Sequence, residues 1–199
     1  MKKQIIFTIA VSLLSFGVID SAVTKDKSDN RVELIDLQNE REEELIKIEL
    51  EEIRVHEYHQ QQLDSFLNAI GFRESSNRYD IVNRWGYMGK YQFGRSTLKG
   101  LGFTVTRKEF LSNPQLQEEA MMALLLHNKE KLQKYIDVFD GKTVNGMIIT
   151  ESGILAAAHL GGQGSVKRYF KNGKVFKDGY GTKITSYMDK FSGYDIQLN

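Results

Sequence analysis

The sequence predicts a mainly α-helical domain with one small β-hairpin or loop, preceded by a long charged helix. Three observations carry this. Apolar residues recur at helical spacing in two stretches, Leu63 to Ile70 and Leu116 to Ile136. A highly charged run without glycine or proline fills most of Lys25 to Gln62. The clearest segment that resists a helical reading, WGYMGKYQF, alternates glycine with aromatics and suits a hairpin or irregular loop. With 199 residues and 41% hydrophobic content, one core is expected, together with an accessory segment.

Taken in order, residues 1–22 have the three-part plan of a secretory signal: two lysines, an uncharged and mainly apolar run from Ile5 to Ile19, and small residues ending at Ala22. Export to the periplasm or exterior is the expectation. The run is short for a membrane span, yet Asp20 occupies a position where cleavage wants a small residue, so an uncleaved anchor remains the alternative. Without cysteine, disulfides, thiol catalysis and lipoprotein processing are excluded.

Residues 23–60 read as a charged helical stalk or docking segment. Leu34, Leu37, Leu45, Ile48 and Ile53 keep no seven-residue repeat, which argues against a sustained coiled coil. A membrane anchor or protein partner acting through residues 25–62 is the interaction this segment suggests. His56 and His59 lie three apart, but no third ligand follows at a metal-site spacing, so they read as solvated histidines. No metal or cofactor is expected. A net charge of +1, with its cations spread along the chain, gives no footprint for nucleic acid.

Residues 61–199 read as the globular domain. Within it, Asn113 suits the N-cap and Pro114 the first position of a helix whose apolar stripe runs through Leu116, Ala120, Met121, Leu124, Leu125, Leu132 and Ile136. ILAAAHL is a second short helix, stopped by Gly161 and Gly162.

The candidate chemistry sits at GFRESSNRYDIVN. Leu63, Phe66, Leu67 and Ile70 share a helix face, and four residues further along that face lies Glu74. Ser75, Ser76 and Asn77 then break the helical pattern. Beside apolar groups a carboxyl loses hydration, and burial favours its protonated form, which a general acid must hold. The opposing reading turns Glu74 outward in a frayed last turn, paired with Arg73 or Arg78. The aromatics Trp85, Tyr87, Tyr91, Phe93 and Phe103, with the amides of Asn77, Asn83 and Gln92, form a combination suited to sugars, whose faces are apolar and edges polar.

RESSNRYDIVN, followed by GYMGKYQFGRSTL and later by AAAHLGG, resembles the catalytic domain of lytic transglycosylases, the lysozyme-like enzymes that cleave peptidoglycan. Glu74 and Ser75 match the family's Glu-Ser pair, and Gly89, Tyr91 and Gln92 fall on its Gly-x-x-Gln segment, with Thr97 supporting that register. Ala157 and Gly161 fit its Ala-Tyr-Asn-Ala-Gly segment, where Ala158 and His159 replace the usual Tyr and Asn. The resemblance covers residues 63 to 191 and implies an α+β, lysozyme-like fold. It implies Glu74 as the one catalytic residue, acting as acid and then base between MurNAc and GlcNAc. Ser75, Tyr87, Tyr91, Gln92, His159 and Tyr187 become the expected substrate contacts, and peptidoglycan strands the expected partner. The first alternative is a lysozyme-like muramidase that hydrolyses the same bond, with Asp80, Glu109 or Glu151 as a second carboxylate. Glu151 reads instead as a stabilising charge at the start of its helix. The other alternative is a non-catalytic wall-binding or assembly module. His127 is assigned no role.

Overall fold

The structure, a computed structural model, describes residues 25–198, with side chains described from Leu37 onward. The expected signal segment, residues 1–22, lies outside these residues. The described residues are mainly helical. Helix α1 spans Lys25–Ser75, α2 Arg95–Gly100, α3 Arg107–Ser112 and α4 Pro114–Phe139. The strands β1 (Thr143–Val144) and β2 (Met147–Ile148) pair antiparallel, and α5 (Glu151–Gly161), α6 (Gln163–Asn172) and α7 (Ile184–Lys190) complete the order.

Two compact units divide at Ile53/Arg54, inside α1 and a few residues before the composition shift near residue 60. In the first, Leu37, Leu45, Ile46 and Ile48 are all exposed. No helix among the described residues is long and apolar enough to cross a membrane.

In the second unit, the end of α1 buries the face predicted for it: Leu63, Phe66, Leu67 and Ile70 lie against Ala120, Met121, Leu124 and Leu125 of α4 in one cluster. Each such side chain contributes on the order of 2 kcal/mol by leaving water. A second cluster joins Leu132 and Ile136 to Ile154, Ala157, Val166, Ile184 and Met188. Helix α5 serves both clusters, Leu155 and Ala156 facing one and Ile154 and Ala157 the other. That is why its sequence is apolar all round. Asn113 caps α4 by accepting from the Leu116 N–H at 3.1 Å, and Pro114 opens the helix. Glu151 opens α5 and pairs with Lys129 at 3.0 Å.

Of the two forms open to the aromatic segment, the structure shows the irregular loop, and the hairpin falls elsewhere. Val82, Met88 and Phe93 make only isolated bridges, whereas the two-residue strands flank Asn145 and Gly146 at φ of 51° and 80°. That pair of positive φ values matches the right-handed twist of a hairpin, so Asn-Gly is the stronger local signal.

Candidate functional site

The geometry at Glu74 begins with the way α1 ends. Ser76 and Asn77 adopt left-handed φ values of 57° and 61°, and their N–H groups close back on the carbonyls of Phe72 and Gly71 at 3.0 and 3.1 Å. The Ser75 hydroxyl donates to the Lys90 carbonyl at 2.8 Å and accepts from the Arg78 N–H at 3.0 Å. The helix terminus is thereby tied to the segment that carries the aromatics.

That segment is anchored in turn from α4. The Lys90 N–H donates to Gln117 Oε1 at 2.8 Å, and Gln117 Nε2 donates to the carbonyls of Tyr79 and Phe110 at 3.0 and 2.8 Å. Glu118 accepts from Tyr79 at 2.6 Å, Tyr91 at 2.5 Å and Lys90 at 2.9 Å. Burial pushes its carboxyl up, but those three donors and the ammonium charge outweigh it and hold the group below the usual carboxylate range. Burial and the same carboxylate push the Tyr79 hydroxyl up to about 12.

Glu74 faces a groove of 810 Å³. Its side chain is 17% exposed, neither turned fully outward nor sealed in the core. The Tyr187 hydroxyl donates to Oε1 at 2.5 Å, and His159 Nε2 lies 3.8 Å from the same oxygen. Burial holds the His159 imidazole below its ordinary pKa, against the pull of the Glu74 charge and of the nearby Tyr91 carbonyl. Its Nδ1 is buried without a hydrogen-bond partner. Burial and Glu74 together push the Tyr187 hydroxyl upward, which keeps it a donor.

The expected substrate contacts separate into three groups. Tyr87, Gln92 and His159 line the groove with Glu74. Tyr187, 4% exposed, reaches Glu74 itself and is not among the lining residues. Ser75 and Tyr91 lie elsewhere. Ser75 is buried in the ties just described, and Tyr91 is wholly buried with its hydroxyl on Glu118, so neither side chain offers a surface to a ligand in the groove. The candidate second carboxylates are also engaged elsewhere. Asp80 pairs with Arg78 at 3.2 Å, Glu109 closes a capping box with Thr106, and Glu151 meets Lys129.

Sequence reasoning missed the other wall. His127 and Asn128 of α4, Gln163 of α6 and the turn Asp178-Gly179-Tyr180 all line the groove. His127 Nε2 lies 3.3 Å from Gln163 Nε2, close enough for a hydrogen bond with the appropriate tautomer. DGYG has the same glycine-aromatic alternation as WGYMG, and that was the readable signal for Tyr180.

The arrangement offers one carboxyl whose Oε1 is held by a phenol, on a groove lined by aromatic rings, amides and histidines. It can deliver and recover a proton at a polar ligand with apolar faces. Comparison with protein-family models, curated proteins and solved structures gives no match for this chain.

Proposed function

We propose that the protein is an exported lytic transglycosylase that cleaves the β-1,4 bond between MurNAc and GlcNAc in peptidoglycan. The observation that carries the reading is the setting of Glu74, which faces the groove while the Tyr187 hydroxyl occupies its Oε1. That hydrogen bond orients the carboxyl and leaves Oε2 as the oxygen to meet substrate. The ordered Glu-Ser, Gly-x-x-Gln and Ala-rich motifs supply the substrate class, and the export pattern of residues 1–22 supplies the compartment.

In this mechanism protonated Glu74 gives its proton to the glycosidic oxygen, and the bond from that oxygen to MurNAc C1 breaks. The resulting carboxylate takes the proton of the MurNAc C6 hydroxyl, whose oxygen bonds to C1 and closes a 1,6-anhydro ring. Glu74 ends protonated, and no water is consumed. The exposed rings of Trp85 and Tyr87 suit sugar faces, and the amides of Asn83 and Gln92 suit their edges. Neutral His159 places a hydrogen-bonding group beside the acid without adding a second charge.

One observation favours hydrolysis as a second reading. Asp178 is a second carboxylate on the groove, and a second carboxylate is what activates water in two-acid glycosidases. Its Oδ1, however, accepts from the N–H groups of Tyr180 and Thr182 at 2.9 and 2.7 Å, a turn-holding role that supports assigning both proton transfers to Glu74. Digestion of purified sacculi, with products read by mass spectrometry, tests both readings. Anhydro-muropeptides are expected; reducing ends would favour hydrolysis, and absence of any soluble product would favour a wall-binding module.

A further inference from the structure

We propose that the cationic face of α6 and of the turn after it docks on an anionic phospholipid bilayer through the headgroup phosphates, holding the groove at a membrane surface. The inference stands on this face alone and does not depend on the glycan-cleaving reading.

Residues 163–183 carry six cations, Lys167, Arg168, Lys171, Lys174, Lys177 and Lys183, against one acid, Asp178. Helical register places Lys167, Arg168 and Lys171 on one side of α6, while Val166 and Tyr169 are buried on the other in the second core cluster. Gly173 ends the helix at a φ of 72°. Beyond it Phe176 packs against the same cluster, so alternation along the chain turns Val175 and Lys177 outward together. None of the six cations is in an ion pair among the described residues. Lys167 donates to Gln163 Oε1 at 2.9 Å and Arg168 to Ser165 Oγ at 3.0 Å, both neutral groups, and Asp178 has its Oδ1 on backbone N–H groups.

The fold concentrates this charge. Lys177 and Lys183 face each other across an antiparallel bridge. The Asp178 N–H donates to the Thr182 carbonyl at 3.0 Å on one side of the pair, and the Ile184 N–H to the Phe176 carbonyl at 3.1 Å on the other. A pair bracketed in this way is the non-hydrogen-bonded kind, in which side chains come closest, and like charges so placed repel. An anion shared by the two ammonium groups relieves that repulsion.

Apolar groups stand among the cations. Val175, between Lys174 and Lys177, is 38% exposed, and Tyr180, in the turn that joins Lys177 to Lys183, is 61% exposed. A soluble polyanion gives such groups nothing to bury, whereas a bilayer interface takes the cations at its phosphates and valine and tyrosine at the headgroup boundary. Clusters of about this many Lys and Arg residues mark surfaces that bind anionic lipid. Asp178, Gly179 and Tyr180 of the same turn line the groove, so docking here sets the groove beside the membrane.

Trp85 reports on this face, because it is the only tryptophan in the chain and a Cβ on Gly179 would lie 3.3 Å from its ring. The test mixes the full chain with vesicles of phosphatidylglycerol and phosphatidylcholine, spin-labelled at the headgroup to quench a tryptophan held there, and with labelled vesicles of phosphatidylcholine alone. Quenching that requires phosphatidylglycerol and fades as salt is raised is expected. Each lysine near an anionic surface is worth about fivefold in partitioning. Lys171→Gln, Lys174→Gln and Lys177→Gln combined should therefore weaken binding about a hundredfold, and Lys174→Gln alone about fivefold. Circular dichroism checks the fold of both variants. Vesicle binding through residues 1–22 that leaves Trp85 unquenched would overturn the proposal, as would equal quenching by neutral vesicles or unchanged binding of the combined variant. Binding to soluble polyphosphate without binding to the anionic vesicles would also overturn it and make the partner a phosphate polymer.

Discussion

Replacing Glu118 with alanine removes the one acceptor that Tyr79, Tyr91 and Lys90 share. The side chain of Lys90 is only 10% exposed, so its ammonium would be left close to dry with no counter-charge and only the faces of the Tyr79 and Tyr91 rings beside it. Breaking a buried pair from one side costs about 3 kcal/mol or more, well above the value of a surface ion pair. In a folded unit of this size each kcal/mol moves the melting temperature by about 2–4 °C, so a fall of about 6–12 °C is expected. A Glu118→Gln variant keeps the acceptor oxygen and loses the charge, and should fall by less. The pH dependence has a definite sign. The folded state holds the Glu118 carboxyl below its ordinary 4.5, so its contribution is full above that value and is lost as pH falls through the folded value. The melting difference between wild type and Glu118→Gln should therefore be constant near neutrality and shrink below about pH 4.5. Thermal melts followed by circular dichroism from pH 3 to 8 would show it. A fall under about 2 °C for Glu118→Ala would refute the claim that this cluster braces the aromatic segment against α4.

Other predictions concern the same machinery. Tyr187→Phe keeps the ring on Phe191 and deletes the bond to Glu74 Oε1; kcat on soluble glycan should fall roughly tenfold to a hundredfold with KM little changed, and an effect confined to KM would contradict a positioning role. Gly89→Ala places a methyl group 2.0 Å from Gln117 Oε1 at a residue whose φ is +72°, so strain and clash together should cost about 2 kcal/mol or more in urea unfolding. An alanine variant as stable as wild type would show that the segment relaxes freely.

Some parts of this molecule are written plainly in the chain, and others are not. The stripe Leu63, Phe66, Leu67, Ile70 is legible because a helix repeats every 3.6 residues, and the same register carries Glu74 to the groove. The caps of α4 are legible because Asn113 and Pro114 each have one obvious use there. Tyr91 and Ser75 are harder. Tyr91 sits where the chain has left regular structure and Ser75 is the last residue of α1, so no helical period tells which way either side chain points: Tyr87 turns to the groove while Tyr91 turns to Glu118. His127, Asn128, Gln163 and Tyr180 come together only through the packing of α4, α6 and a late turn, which local sequence does not encode. The hairpin is legible at Asn145-Gly146, the dipeptide that takes two successive positive φ values most readily.

The central claim is that Glu74 performs both proton transfers and that water stays out of the bond it cleaves. Digestion of sacculi in ¹⁸O-labelled water, followed by mass spectrometry of the released muropeptides, measures this directly. Unlabelled anhydro products from the wild type, and none from Glu74→Gln, are the predicted result. Labelled reducing ends, or full activity in Glu74→Gln, would contradict it.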